Sequence, residues 1–130
     1  IGASTTQANE IILGNSSITA LRCQQNTISG LSDRRDKKDI EDLSIGLDFV
    51  NTLRPRKFTW AMRSPSANNG KTQTGFIAQE LQESVGENTY LNLVDNYNDE
   101  TLHAAMGNLM PMVIKAIQEL SAEVTALKAA

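Results

Sequence analysis

Residues 109–128 read LMPMVIKAIQELSAEVTALK. Val113, Ile117, Leu120, Val124 and Leu127 step by four, three, four and three. This spacing keeps apolar side chains on one seam of a supercoiling helix. Pro111 is tolerated in a first helical turn, where its missing N–H has no intrahelical partner to lose. The pattern therefore predicts a helix beginning at about Pro111. With Ile117 and Val124 at a, Glu123 falls at g and Lys128 at the following e, a pairing that favours parallel copies of one helix. Packing of the same stripe on its own domain is the other arrangement the spacing allows. The mixed a and d residues do not set the number of strands.

Upstream, residues 32–109 carry the signals of a small mixed body. Ile40, Leu43, Leu47 and Val50 recur at helical spacing, which predicts a helix closed off before Arg54-Pro55. Lys57-Phe58-Thr59-Trp60 alternates as a strand does. Residues 63–72, RSPSANNGKT, are turn formers and predict a surface loop. Gly75 to Ala78 reads as a short strand running into a helix over Gln79-Glu80-Leu81 that stops near Gly86. Tyr90 to Val94 reads as another strand, and Asp95 to Glu100 as a polar turn.

Residues 1–31 differ in composition. Glu10 and Arg22 are their only charges, so the net charge of −3 lies entirely in residues 32–130. Ile11-Ile12-Leu13 and Ile18-Thr19-Ala20-Leu21 predict short strands around the turn Gly14-Asn15-Ser16-Ser17. Two or three such strands bury no core alone and need neighbouring chains or more repeats upstream, as in fibrous β-stalks. A disordered linker is the plainer alternative, which the Ile/Leu/Val content fits poorly. The acidic balance argues against a nucleic-acid partner. No apolar run approaches the roughly 20 residues that span a bilayer, so no membrane partner is expected. With Cys23 the single cysteine and His103 the single histidine, neither an intrachain disulfide nor a Cys/His metal site is expected, and no cofactor is predicted.

The stretch LSDRRDKKDI, residues 31–40, raises a question of chemistry. Serine becomes a nucleophile only when a base accepts its proton. His103 lies among Leu102, Ala104 and Ala105 with no acidic residue to orient it. Lysine is an alternative base, and Lys37 follows Ser32 closely. Arg34 and Arg35 favour its neutral amine, while Asp33, Asp36 and Asp39 oppose it. A five-residue separation misses the alignment of a helix face, so a Ser32–Lys37 pair needs a turn, an extended segment or contact between chains. Read as residues alone, Ser32 also fits a helix N-cap with a solvated first turn. Gly70-Lys71-Thr72 looks like the end of a phosphate-binding loop, but Pro65 stands where that loop needs glycine. An ordinary turn is expected there.

Taken together, these segments resemble one family. Ser32-Asp33, Arg35, Lys37 and Ile40 are similar to the opening motif of the C-terminal intramolecular chaperone domain of phage tail spikes and fibres, best known from endosialidase. LRPRKFTW (53–60), GFIAQEL (75–81) and residues 109–128 resemble its later blocks in the same order. GNSSITALRCQQNTISGLSD (14–33) resembles the β-stalk ends that precede such domains. At Asp36 the sequence departs from the family, where an apolar residue is common.

The resemblance implies an α+β fold in three parts. Residues 1–31 would be the end of a triple-stranded, β-helix-like stalk intertwined between chains. A small mixed body would follow, and then a C-terminal helix in a trimeric, coiled-coil-like bundle whose seam is Val113, Ile117, Leu120, Val124 and Leu127. Residues 32–130 would be a homotrimeric chaperone with the stalk as its client. This domain would cut itself off between Leu31 and Ser32 in a single turnover, with Ser32 as nucleophile, Lys37 as base, and Asp33 and Arg35 in support. The precursor would be made in the host cytoplasm and carried on the virion until the chaperone leaves. Two other functions fit the residues: a permanent trimerisation cap that never cuts, and a receptor-binding fibre tip displaying loop 63–72.

Overall fold

In the computed structural model, which describes residues 8–130, the predicted terminal helix is the longest element, α3 (Met110–Ala129). Pro111 occupies its first turn, as expected. Met112 and Ala116, one turn apart, are 2% and 5% exposed. Met112 and Leu109 seat the helix on a cluster with Phe49, Val85, Leu91 and Leu93, and Val113 packs beside it.

The remaining elements form a small α+β body, the architecture expected. In chain order they are α1 (Leu47–Val50), β1 (Arg56–Thr59), β2 (Thr72–Gly75), α2 (Ala78–Val85), β3 (Val94–Asp95) and β4 (His103–Ala104). β1 pairs with β2, and β3 with β4, in two separate two-stranded sheets. The second is antiparallel, with Val94 opposite Ala104 and Asp95 opposite His103. α2 places Leu81 and Val85 four residues apart on its buried face. It stops at Gly86, whose φ of 55° lies in the left-handed region that glycine enters without steric penalty.

By compactness the chain divides into two units. One comprises the residues up to Asp36 with Lys57–Gln73; the other comprises Lys37–Arg56 with Thr74–Ala130 and contains the core. This division concerns packing and differs from the expected functional boundary at Leu31–Ser32.

Four expectations change. The strand expected over Gly75 to Ala78 lies earlier, at Thr72–Gly75, and Ala78 already belongs to α2. The helix predicted across residues 40–50 shrinks to the single turn of α1. Leu43 and Ile45 both pack on the core, and residues two apart cannot share one helix face. Gly46 brings this segment close to α3: a Cβ there would lie 2.7 Å from the Cγ of Lys115 and would collide with the Glu119 carboxylate. The strand predicted from Tyr90 to Val94 is broken in the same way. Thr89–Leu91 is a 3-10 turn and Asn92 adopts a left-handed φ of 53°, leaving only Val94 and Asp95 to pair. Within the single chain, residues 11–13 and 18–21 form no strands. An isolated pair of short strands lacks the partners that stabilise a sheet. The start of the expected stalk segment, residues 1–7, lies outside the described residues.

Leu93 is 1% exposed at the centre of the cluster. Leu93→Ala is expected to destabilise the body by about 2–5 kcal/mol through lost burial and the cavity left behind. The denaturant midpoint measures this, and an unchanged midpoint would show that the core is not seated on Leu93.

Candidate functional site

Leu31 and Ser32 lie in an exposed segment without regular structure, so the peptide bond between them is accessible. Behind it the chain folds into a tight 3-10 turn, Arg34–Asp36. Asp33 organises that turn. Its carbonyl oxygen accepts from the Asp36 amide at 3.1 Å, and its Oδ1 accepts from the Arg35 amide at 2.8 Å. The Arg35 guanidinium folds back as a fork, donating Nε to Oδ1 at 3.1 Å and Nη2 to Oδ2 at 2.8 Å. These bonds to Arg35, first the side-chain pair and then the amide, hold the Asp33 carboxyl below the usual carboxylate range; the Arg35 guanidinium is raised in turn. A carboxylate that accepts both an amide and a guanidinium fork is a strong local brace.

The structure thus brings Asp33 and Arg35 together, and it assigns to Asp33 the capping job that residues alone could have given Ser32. The boundary between the two compact units falls between Asp36 and Lys37. Lys37 therefore follows the turn directly in the chain but belongs with the core-bearing unit. Two residues later Asp39 turns the backbone with φ 54°.

The unit that holds Ser32 also contains Lys57–Gln73, the outer part of the β1–β2 hairpin, closed by reciprocal bonds around Trp60, Gly70 and Lys71. The Trp60 amide donates to Lys71 O and the Gly70 amide to Trp60 O, both at 2.9 Å. Gly70-Lys71-Thr72 is part of this hairpin, as the turn reading expected. The hairpin tip holds the earlier turn at residues 15–18. The Ala67 amide donates to Ser16 O at 3.1 Å, and Asn68 Nδ2 donates to Ile18 O at 3.2 Å. Part of the loop that the fibre-tip reading would display to a receptor is thus engaged with the chain's own upstream segment.

Sequence reading missed the other strong polar group. Arg56 at the start of β1 grips Glu80 in the first turn of α2 through Nε–Oε1 at 2.9 Å and Nη2–Oε2 at 2.6 Å. Arg54 adds Nη1–Oε2 at 3.0 Å. Both arginines belong to LRPRKFTW and the glutamate to GFIAQEL, so the two quoted blocks were the available signal. Their separation of 24 residues hid the contact. Chiefly through the Arg56 fork, Glu80 is held below the usual glutamate range and Arg56 is raised.

The expected seam of α3 divides along its length. Val113 is partly buried on the chain's own core. Ile117, Leu120, Val124 and Leu127 are 42–75% exposed, and Ile114 beside them is 47% exposed. No cluster of metal-ligating side chains is present among the described residues.

Residues 32–90 match the peptidase family described as chaperone of endosialidase. The match opens at Ser32, covers both arginine–glutamate blocks, and ends ahead of α3. No curated protein and no solved structure matches the chain.

Glu80 gives the site a pH signature. Because its folded value is lowered, the stability it contributes is complete above the unfolded value and is lost as pH falls through the folded one. Glu80→Gln is expected to lower the thermal midpoint at neutral pH and to flatten its decline into acid. Parallel curves for the two proteins would show that the arginine fork carries no stability.

Proposed function

We propose, from the endosialidase-type chaperone domain that residues 32–90 carry, that this protein is a self-releasing folding chaperone. Its client is the β-stalk end of a phage tail spike or fibre at residues 1–31, and it acts as a homotrimer joined along α3. Its release is hydrolysis of the Leu31–Ser32 bond. The observation that carries the reading is the Asp33-braced turn placed directly behind an exposed Leu31–Ser32 bond. A turn between its members is one of the three arrangements open to a Ser32–Lys37 pair.

The chemistry is local. The Ser32 hydroxyl adds to the carbonyl carbon of Leu31 while the neutral Lys37 amine takes its proton. The carbon–nitrogen bond breaks, the proton passes to the Ser32 nitrogen, and Leu31 is left as an ester on Ser32 Oγ. Water hydrolyses that ester, freeing the Leu31 carboxylate and restoring the hydroxyl. Nucleophile and carbonyl are already joined by the chain, so proximity supplies much of the acceleration and no substrate pocket is needed. Asp33 and Arg35 support the reaction by holding the turn.

Assembly has its own physical basis. Each aliphatic side chain of the exposed stripe on α3 gains about 1.5–3 kcal/mol when fully buried. Parallel copies bury it and bring Glu123 and Lys128 into register. The residues do not fix three strands; the trimer comes from the family resemblance. Once the chaperone has left, the stalk has no route back to its assembly partner, and its lifetime rests on an unfolding barrier. The precursor would be made in the host cytoplasm and carried into the virion, where the domain is shed.

Denaturing electrophoresis and sedimentation test this pair of claims. Ser32→Ala and Lys37→Ala are expected to give assembled but uncut trimers. A normally processed Lys37→Ala chain would exclude lysine as the base. Ile117→Glu places an unpaired carboxylate in the seam and is expected to give uncut monomers. Cleavage by that monomer would show that the site needs no partner copy, and an assembled, uncut parent would favour the permanent cap.

A further inference from the structure

We infer that Asp39 is a positioning residue for the proposed scission, acting through its backbone conformation and not through its carboxylate; the inference rests on the self-cleavage reading above. Asp39 has φ 54° and is one of three non-glycine residues in the left-handed region among the described residues, with Asn9 and Asn92. L-residues rarely enter that region, and aspartate and asparagine are among the few that tolerate it. The side chain is exposed, and its carboxylate makes no hydrogen bond or ion pair among the described residues. What the position supplies is therefore a change of chain direction.

The place of that change gives it meaning. On one side stand Lys37 and Lys38. On the other, Ile40 leads to Leu43 and Ile45, which are anchored on the core, and to Gly46, which is packed against α3. No helix or strand runs between residue 37 and α1, so no regular hydrogen-bond ladder fixes the direction in which Lys37 leaves the core. The left-handed φ at Asp39 is the backbone bend that lies between Lys37 and the anchored segment. Because the bend is exposed, a residue that disfavours it relaxes locally and swings residues 37–38 without emptying the core. A base displaced by about 1 Å from its working position costs on the order of a hundredfold in rate.

The test follows full-length chains, pulse-labelled in a cell-free translation reaction, by denaturing electrophoresis over time, with circular dichroism and sedimentation on the same proteins. Asp39→Asn and Asp39→Gly, which keep the bend, are expected to process at the parent rate even though both remove the charge. Asp39→Val is expected to fold and assemble but to process on the order of a hundredfold more slowly; should it fail to fold, Asp39→Ala takes its place with the same direction of effect. Valine or alanine chains cut at the parent rate would overturn the inference, as would asparagine and glycine chains slowed alongside them, since that result makes the carboxylate the working group. A parent chain that stays uncut would remove the cleavage reading itself and this inference with it, whereas a cut parent that Ser32→Ala abolishes leaves Asp39 to be judged on its own variants.

Discussion

The body of this protein can seat only one end of its longest helix. Leu109 and Met112 sink into the cluster of Phe49, Val85, Leu91 and Leu93, and Ala116 is buried one turn further on. Past that point Glu119 still lies against Gly46, but Ile117, Leu120, Val124 and Leu127 are exposed. A contiguous aliphatic stripe exposed along a helix of 20 residues is the kind of surface that association covers. The small core thus divides α3 into an anchor and a free face, and the proposed assembly follows from that division.

The second constraint is at the other end of the domain, where a single carboxylate shapes the chain behind Ser32. Asp33 uses its main-chain oxygen and both side-chain oxygens to close the Arg34–Asp36 turn and to hold the Arg35 fork. The brace is exposed and worth little to global stability. Its value is geometric: it gives the segment after the exposed Leu31–Ser32 bond one shape where a run of charged residues would otherwise sample many. A single-turnover reaction within one chain needs such local order more than it needs a pocket.

Much of this was legible in the sequence because it depends on local rules. α2 and its stop at Gly86, the loop of residues 63–72, and α3 from its first-turn proline all follow from periodicity and turn chemistry. What stayed hidden depends on contacts between distant residues. The spacing of Ile40, Leu43, Leu47 and Val50 suggested one helix, but Gly46 lies against Lys115 and Glu119, and the chain before it runs past α3 without coiling. The Arg56–Glu80 fork joins two segments that are read separately. For the candidate site, residue types offered Ser32 and Lys37 as a candidate pair beside a plain N-cap at Ser32, and the family resemblance is what singled them out and added Asp33 and Arg35. Only coordinates showed that Asp33 caps the turn and that Arg35 closes on it. The left-handed bend at Asp39 had no sequence signal beyond an aspartate in a charged run.

The proposed self-cleavage stands or falls on the covalent state of one peptide bond. Intact-mass spectrometry of the unaltered chain under denaturing conditions, after folding, reads that state directly. It should find two species whose masses correspond to a break between Leu31 and Ser32, the larger beginning with a free amine on Ser32. A single species with the mass of the uncut chain, or a break at any other bond, would contradict it.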